Sequence, residues 1–366
     1  MQVVAVRKSI TVPVEKGYNT ITLHAGVRYV MHDTEVDSGS AAGVWKRVDA
    51  LPEVPEQFNS RQACTGRLLV PFIGGLGEAI SMLPVLASIR RQHPKLAIDV
   101  TTTPGPAELF ALSGQLQSVR TYPLRLEAWR RYEHYLTMEG VYETSSQPGR
   151  PMPEVFAAAL SIELTDPTFQ LKLPEAAEEV DADDSATPVV GLAVGEGESL
   201  RAYPAPLLRE LVSLLVERGI GCVLLGRLDP AWVLPESPPM ITDLRGKTNT
   251  LLELAVWLRA MTVVVAHDSM IMHLAAALGR PTVALFGPTS RDRASLYTRT
   301  TSLASAAPCA PCHEAGQRCP KGYERCIAWD DDAVRPQTVA DAVLERVANR
   351  GAESPTPIAV VAGGSD

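Results

Sequence analysis

The sequence predicts an α/β protein with two parallel-sheet units, preceded by a small antiparallel β module. Three observations lead to this prediction. The chain has 366 residues, of which 46% are hydrophobic and only 5% aromatic, which favours helices packed on parallel sheets over an all-β fold. Apolar strands and amphipathic helices alternate from residue 66 to residue 350. A charged stretch with two prolines, residues 174–188, divides this alternation into two halves.

The first 60 residues have a pattern of their own. Their short β-type runs are interrupted by turn signals at Lys16-Gly17 and Ala25-Gly26. Runs bounded in this way are typical of antiparallel strands. We therefore predict a small β module over residues 1–60, with PEVPEQ (52–57) as a linker.

Residues 63–173 alternate between strand and helix. The run RLLVPFIGGLG is a strand that enters a glycine turn, and the helix after it carries Ile80 and Leu83 on one apolar face. A strand (LAIDVTTTPG), a short helix (AELFALSG) and a later helix (MPEVFAAALSIE) follow. This spacing predicts parallel βαβ units. Residues 120–150 fit either a strand or a helix.

A second alternation occupies residues 188–350. It begins with a strand (VVGLAVG), a helix (APLLRELVSLLVERG) and a strand (GCVLLG), and a late helix is PQTVADAVLERVANR. Between them, the apolar strands Val263–Ala266 and Thr282–Phe286 flank a short helix at roughly Ser269–Leu278. The Gly-, Ser- and Pro-containing tail, residues 351–366, is predicted to be disordered.

Charge and hydropathy narrow the function classes. The formal net charge is −8, which does not favour nucleic acid as a partner. No run of about 18 apolar residues predicts membrane insertion, and the N-terminus lacks the pattern of a signal peptide. We predict a cytoplasmic protein whose cysteines are reduced unless they bind a metal.

The segment between residues 263 and 289 carries the strongest chemical signal. Asp268 and Ser269 follow a buried strand and begin a helix, and ligands bind at such carboxyl ends of parallel strands. Both side chains can cap the helix, and the remaining N–H groups favour an anion such as a diphosphate. The alternative is that Asp268 is only a cap and His273 only a semi-buried structural histidine.

The same segment, HDSMIMHLAAALGRPTVALFGPT, resembles the donor-site segment of the heptosyltransferases of glycosyltransferase family 9. The residues in register with the family pattern are Asp268, Ser269, His273, Gly279, Pro281, Gly287, Pro288 and Thr289. Met270 stands where the family has a glycine that lies close to the nucleotide sugar. The resemblance therefore implies a narrower or reshaped donor pocket at Met270.

Two further segments imply catalytic residues through this resemblance. PFIGGLGEAISMLP resembles the family's opening loop and helix, and places Gly77-Glu78 where the family has Gly-Asp, so Glu78 inherits the role of the base that deprotonates the acceptor hydroxyl. The alternative is that Glu78 only complements the helix dipole. Arg201 in RAYP matches a family lysine, which implies a cation on the donor phosphates.

The resemblance also implies the architecture and two more donor contacts. Thr248 lies in a GKT loop like that of the family and is expected to reach the donor, and Gly226 is expected to allow close approach of the backbone. The family fold is GT-B, two facing Rossmann-like domains. Residues 63–173 would then be the acceptor domain and 188–350 the nucleotide-sugar domain.

Four cysteines predict a metal finger. Cys309, Cys312, Cys319 and Cys326 have the spacing C-x2-C-x6-C-x6-C, which suits a tetrahedral thiolate site for zinc or iron. Disulfides and free thiols are the alternatives. The acidic runs at 181–184 and 330–332 are interpreted as solvated loops, and the family implies no catalytic metal.

The leading hypothesis is an inverting glycosyltransferase with an ADP-heptose-like donor and a hydroxyl acceptor on protein Ser/Thr or a lipopolysaccharide core. The β module and the cysteine finger resemble the autotransporter heptosyltransferases, which implies a homo-oligomer. Alternatives are a transferase acting on a hydroxymethylated DNA base, a nucleotide-sugar epimerase or hydrolase on the same fold, and a non-catalytic sugar-nucleotide-binding scaffold.

Overall fold

The computed structural model describes most of the chain. The described residues are 2–6, 10–14, 19–31, 45–49, 55–137, 150–167, 169, 171–174, 187–195, 200–228, 240–312, 319, 321–323 and 325–349. The predicted linker at 174–188 and the predicted tail at 351–366 lie almost wholly outside them.

The strands and helices follow the predicted alternation. The strands are β1 (Gln2–Val6), β2 (Ile10–Val14), β3 (Asn19–Leu23), β4 (Arg28–Met31), β5 (Trp45–Asp49), β6 (Glu56–Gln57), β7 (Gly66–Phe72), β8 (Leu96–Thr102), β9 (Ser118–Thr121), β10 (Leu124–Arg125), β11 (His134–Tyr135), β12 (Val189–Ala193), β13 (Gly221–Leu225), β14 (Ile241–Asp243), β15 (Val263–His267), β16 (Thr282–Phe286) and β17 (Thr300–Ala304). The α-helices are α1 (Leu76–Gln92), α2 (Pro104–Leu112), α3 (Leu126–Trp129), α4 (Met152–Ala159), α5 (Ala205–Glu217), α6 (Leu251–Ala260), α7 (Met270–Ala277) and α8 (Pro336–Ala348). Short 3-10 helices lie at Arg291–Ala294, Ile327–Asp330 and Asp332–Val334.

Two parallel sheets form the body of the protein. The first has the strand order β6-β11-β7-β8-β9, and the second has the order β14-β13-β12-β15-β16-β17. All the pairs in both sheets are parallel. Strands β15 and β16 are buried along their whole length, as expected for strands covered on both faces. The predicted α/β fold with parallel sheets is confirmed.

The strand–helix–strand unit at residues 263–289 lies close to its predicted bounds. Strand β15 extends one residue further than predicted, to His267, and α7 begins at Met270 rather than at Ser269. The side chains of α7 are nearly all buried, which explains why its apolar run shows little amphipathic contrast. This unit places three polar residues, 267–269, between the end of β15 and the start of α7.

The front strands are built into the first unit. Strands β10, β4, β1 and β5 form an antiparallel sheet, although β10 comes from residues 124–125. Val3 and Val30 pack against Leu69 of β7 and the buried Trp129. The prediction that residues 52–57 are a linker is wrong at its end, because Glu56–Gln57 pairs in parallel with β11. Within the uncertain stretch 120–150, β11 is a strand, and residues 138–149 lie outside the described part.

The two units share a continuous apolar interface. One cluster of buried side chains contains Leu83 and Leu86 of α1 together with Ile271 and Leu274 of α7. Because burial of apolar side chains stabilises the contact, this interface holds α1 and α7 together, and Gly77 in the first turn of α1 faces the ring of His273. The catalytic candidates on the two helices are thereby brought to one place.

A carboxylate reinforces the contact between the units. Glu108 of α2 accepts hydrogen bonds from the backbone N–H groups of Leu251 (2.8 Å) and Leu252 (2.9 Å) at the start of α6. These N–H groups have no partner within their own helix, and the helix dipole favours the negative charge. Glu108 therefore caps a helix of the second unit from the first.

In the part of the chain that the structure describes, no helix is long and apolar enough to cross a membrane.

Candidate functional site

The candidate site lies at the carboxyl ends of β15 and β16, beside the N-terminus of α7. His267 ends β15, Asp268 follows it, and Ser269 occupies the N-cap position of α7. Thr289 follows β16 on the neighbouring strand, and it is 6% exposed. This is the edge of a parallel sheet at which ligands bind.

The N-terminus of α7 has no side-chain cap. Ser269 is in the N-cap position, but its hydroxyl accepts no hydrogen bond from the helix, so the prediction that Ser269 caps α7 through its side chain is wrong. The carboxylate of Asp268 is directed to basic partners instead. The first N–H groups of the helix are therefore not satisfied by Ser269, which is the arrangement that suits an anionic ligand.

Asp268 pairs with two basic side chains. Its carboxylate is buried, with Oδ2 3.5 Å from Nε of Arg293 and Oδ1 3.8 Å from Nε2 of His273. The separation from Arg293 allows an ion pair, and both separations are longer than a hydrogen bond. Asp268 is thus held by the charge of Arg293 and faces the imidazole of His273, which disfavours the alternative that it is only a helix cap.

A tyrosine orients His273. Nδ1 of His273 lies 2.7 Å from the hydroxyl of Tyr297, and the two rings meet edge to face. Burial raises the pKa of Tyr297, and burial lowers the pKa of His273 against the opposing charges of Asp268 and Glu78. His273 is therefore neutral near pH 7. We assign its proton to Nε2, which faces the Asp268 carboxylate, so that the Tyr297 hydroxyl donates to Nδ1.

Glu78 reaches this site from the first unit. It lies in the first turn of α1, close enough to His273 for its charge to affect the pKa of that imidazole. Its carboxylate folds back over Gly75, where a Cβ atom would lie 2.7 Å from Oε2. Gly77 faces the ring of His273, because a Cβ atom on Gly77 would lie 3.2 Å from Cδ2 of that ring. A carboxylate from one unit and a histidine from the other therefore meet at the interface.

Arg201 contributes a positive charge to the same place. Together with the dominant effect of burial, its charge lowers the pKa of His267 to about 4, against the opposing charge of Asp268. The chain around Arg201 packs closely on β15, because a Cβ atom on Gly195 would overlap Cβ of Ala202 and would lie 3.3 Å from Cε1 of His267. His267 is thus a neutral, buried imidazole beside a cation.

Several polar atoms at this edge form no hydrogen bond within the described residues. They are Nδ1 of His267, Oγ of Ser269 and Oγ1 of Thr289, all of them buried. A buried polar atom without a partner costs about 1–3 kcal/mol, so such atoms are rare in folded proteins. Their grouping beside the N-terminus of α7 indicates a site for a polar ligand.

The structure gives different explanations for two other predicted donor residues. Met270 is partly buried and packs against the apolar cluster shared by the two units. The space beside Gly226, which has a φ of +128°, is filled by the carbonyl oxygen of Val194, 2.6 Å from a Cβ position. Gly226 is thus required by packing against the residue that follows β12, and its expected approach to a ligand stays a prediction.

Thr248 and Gly226 lie apart from the centre of the site. Gly226 follows β13, and Thr248 lies between β14 and α6. In the sheet these strands are two and three positions away from β15, a separation of roughly 10–15 Å at the usual strand spacing. They line the same sheet edge, further along it.

The four cysteines converge without a bond between them. Cys309, Cys312, Cys319 and Cys326 line one cavity of about 40 Å³, and none of the described cysteines forms a disulfide. Burial raises the pKa of Cys326, and the three other thiols add to this effect. Within the described residues, no group of three or more His, Cys, Asp or Glu side chains is arranged tightly enough to hold a metal ion.

Sequence reasoning missed several residues of this site. His267, Arg293 and Tyr297 contact or flank Asp268 and His273 but were not predicted to have a role. His267 could have been found, because it directly precedes Asp268 at a strand end. Arg293 and Tyr297 carry no local signal, since their contacts depend on how the chain folds back after β16.

Comparisons with known proteins agree with the fold and the motif. Residues 152–322 match the sequence profile of Glycosyltransferase family 9 (heptosyltransferase). Over 112 residues, 28% of this chain and 32% of the relative, the chain is 35% identical to Lipooligosaccharide heptosyltransferase 2 of Haemophilus influenzae. The chain thus spans about one third of the length of the curated relatives it matches.

Two solved structures share the architecture. The ADP-heptose lps heptosyltransferase II of E. coli superimposes with a TM-score of 0.59 and 18% identity, over 78% of this chain and 99% of that chain. The iron-containing dodecameric glycosyltransferase TibC from enterotoxigenic E. coli superimposes with a TM-score of 0.60 and 14% identity, over 96% of this chain and 94% of that one. The predicted GT-B fold and the resemblance to family 9 are confirmed.

Proposed function

We propose that this protein is an inverting glycosyltransferase that transfers a sugar from an ADP-heptose-like donor to an acceptor hydroxyl. One observation carries the proposal. Gly77 of the first unit packs against the ring of His273 in the second, so that the charge of the adjacent Glu78 acts on the same imidazole that pairs with Asp268. The sequence similarity to heptosyltransferases at residues 152–322 supports the class of donor.

The mechanism follows from this arrangement. Glu78 takes the proton of the acceptor hydroxyl as its oxygen attacks the anomeric carbon. A C–O bond forms, the bond between the anomeric carbon and the diphosphate breaks on the opposite face, and ADP leaves. A single displacement of this kind inverts the configuration. Arg201 and the N-terminal N–H groups of α7 stabilise the charge that develops on the diphosphate.

The remaining polar residues organise the donor. Neutral His273, oriented by Tyr297, directs its Nε2 proton towards the carboxylate of Asp268. Asp268 also balances the charge of Arg293, which lies at the open side with 38% exposure. Ser269 and Thr289 supply hydroxyls without hydrogen-bond partners in the described chain, and such groups favour a ligand rich in hydroxyl and phosphate oxygens.

Nucleotide preference tests the donor class. We expect ADP to raise the thermal unfolding midpoint, because a ligand that binds only the folded protein adds RT ln(1 + [L]/Kd) to its free energy of unfolding. UDP and GDP at equal concentration should give a much smaller rise. Differential scanning fluorimetry of the wild-type protein measures this. Selective stabilisation by UDP or GDP would retain the transferase and discard the ADP-linked donor. No stabilisation by any nucleotide would contradict the proposed donor site.

We propose acceptors of two kinds, a protein Ser/Thr hydroxyl and a lipopolysaccharide core sugar. The similarity to the iron-containing dodecameric TibC covers 96% of this chain, which favours the autotransporter branch and a homo-oligomer. Light scattering on the protein as it elutes from a size-exclusion column measures the oligomeric state.

Release of ADP from the donor in the absence of any acceptor would favour a hydrolase over a transferase. Among the acceptors, a DNA base is the weakest candidate, because the net charge of the chain is −8.

We also propose that the four cysteines hold a structural zinc or iron ion. The chemistry of the donor set fits, since four thiols line one small cavity and four thiolates suit zinc or iron. Such an ion would fix the fold of residues 309–326 and would take no part in transfer.

The acidic residues 330–332 make structural contacts, such as the ion pair of Asp330 with Arg325 at 2.8 Å.

Metal analysis of the purified protein tests this second proposal. We expect close to one metal ion per chain by atomic emission, lost in Cys309→Ser and retained in the control Cys64→Ser, because Cys64 lies just before β7 of the first unit. Iron would add visible thiolate absorption, whereas zinc would not. A metal-free wild type with four titratable thiols would contradict the proposal.

A further inference from the structure

Trp329 is a large buried side chain that the proposed mechanism does not use. It is 2% exposed and belongs to the core of the second unit. It directly follows the cysteine segment, in the 3-10 helix Ile327–Asp330. Its ring lies between two segments that carry donor-site residues, and its contacts with each of them are specific.

The first contact is with the turn after β16. A Cβ atom on Gly287 would lie 2.5 Å from Cε2 and 2.7 Å from Cδ2 of the Trp329 ring. These distances are shorter than any ordinary carbon contact, so the turn lies directly on the indole. The same turn continues to Thr289, whose hydroxyl is buried without a hydrogen-bond partner among the described residues. The indole is therefore the surface on which this turn rests.

The second contact is with the segment that carries the phosphate-binding cation. Nε1 of Trp329 donates a hydrogen bond to the carbonyl oxygen of Leu200, at 3.0 Å, and Leu200 immediately precedes Arg201. Tyr203, two residues after Arg201, packs edge to face on the indole with a centroid distance of 5.3 Å. Arg201 is thus flanked on both sides by residues held by Trp329.

The cysteine segment is tied to the same turn. The backbone N–H of Cys312 donates to the carbonyl oxygen of Pro288 at 2.5 Å, and Pro288 and Leu200 both line the cavity formed by the four cysteines. The described cysteines and Trp329 therefore contact both donor-site segments, the one at Leu200–Arg201 and the turn at Gly287–Thr289.

We propose that Trp329 is a positioning residue that sets the separation between Arg201 and the Gly287–Thr289 turn, and so determines the affinity for the donor diphosphate. The proposal deepens the proposed function and rests on it. The opposing view is that Trp329 is an ordinary core residue, whose loss lowers stability without changing the affinity of the folded protein for ADP.

Trp329→Phe separates these two views. It keeps an aromatic ring but removes the Nε1 donor to Leu200. Loss of one hydrogen bond at a positioned backbone corresponds to an affinity change of roughly threefold to tenfold, and we expect ADP to bind more weakly by that factor in isothermal titration of the full-length protein. The matched control is Trp257→Phe, since Trp257 is 40% exposed on α6, and it should bind ADP as the wild type does.

Gly287→Ala approaches the same contact from the other side. The added methyl group must displace the indole or the turn, so we expect weaker ADP binding here too. Gly221→Ala is its control, because a Cβ atom there meets its nearest neighbour at an ordinary 3.6 Å. If Trp329→Phe fails to fold, this pair still decides the question.

A double-mutant cycle identifies the route of the effect. If Trp329 acts through Arg201, then Trp329→Phe should weaken ADP binding in the wild-type background but not in the Arg201→Ala background. A Trp329→Phe protein that binds ADP with wild-type affinity would overturn the proposal, whether or not its unfolding midpoint falls. A wild-type protein that binds neither ADP nor ADP-heptose would overturn the proposed function, and this inference with it.

Discussion

Replacing Glu78 with Gln is expected to slow transfer from ADP-heptose by roughly 100- to 10,000-fold, the usual contribution of a positioned general base. The amide keeps the shape of the side chain but cannot accept the proton of the acceptor hydroxyl. The proposed donor contacts at Asp268, Ser269 and Thr289 remain, so ADP affinity should change little. Initial rates of ADP release with acceptor present, and titration of ADP, measure the two quantities separately.

Two further variants decide between the base and the helix-dipole interpretation of Glu78. Glu78→Asp keeps a base at the position where the family has Asp, and should restore part of the rate. Glu127→Gln removes an exposed first-turn Glu from α3, and should leave the rate unchanged. If Glu78→Gln retained the wild-type rate while losing stability, Glu78 would be only a dipole partner.

Replacing Arg201 with Ala is expected to weaken ADP binding by about 10- to 100-fold, since hydrogen bonds to charged groups contribute about 1.5–3 kcal/mol. The rate of transfer should fall as well, because the charge on the diphosphate grows as the bond to the sugar breaks. Titration calorimetry and donor-saturated rates measure these effects. The loss should shrink at high salt, as screening weakens the wild-type interaction.

Charge and geometry at Arg201 can be separated. Arg201→Lys restores the charge carried by the matching family residue, but not the planar guanidinium, and should recover part of the affinity. Arg91→Ala, at the exposed far end of α1, serves as the control for lost surface charge. Equal ADP affinity in Arg201→Ala and the wild type would contradict the role of Arg201 as the phosphate clamp.

The sequence was sufficient for the elements and the motif around residues 263–289. Strand β16 lies at its predicted bounds, and β15 and α7 differ from theirs by one residue. These elements are continuous apolar runs bounded by polar residues, so the signal is local and strong. The roles of Glu78 and His273 that the resemblance implies stay predictions, although the first turn of α1 does pack against His273 through Gly77.

Long-range contacts could not be predicted in the same way. Glu108 and Leu251 are 143 positions apart, and Trp329 and Leu200 are 129 apart, so no spacing rule relates them. The glycines at 226 and 287 match a ligand-binding pattern, yet their neighbours are Val194 and the Trp329 ring. A missing side chain signals a close approach but does not say by what.

The pairing of β10 with β4 shows the same limit for the front strands. Leu124 pairs opposite Val30, which joins residues from two predicted domains in one sheet. A two-residue strand has no periodicity to detect. The sequence therefore could not predict that residues 124–125 join the sheet of the front strands. The domain boundaries predicted at residues 60 and 63 stay predictions.

The proposed function requires that this chain move a sugar from ADP-heptose to a hydroxyl at the site formed by Glu78, Arg201, Asp268 and His273. Mass spectrometry of acceptors incubated with ADP-heptose and the full-length protein tests this directly, because it measures the mass that transfer adds to the acceptor. We expect an acceptor heavier by one heptose, ADP in equal amount, and neither product with Glu78→Gln. ADP released with no modified acceptor, or a product unaffected by Glu78→Gln, would show that the proposed transfer at this site is wrong.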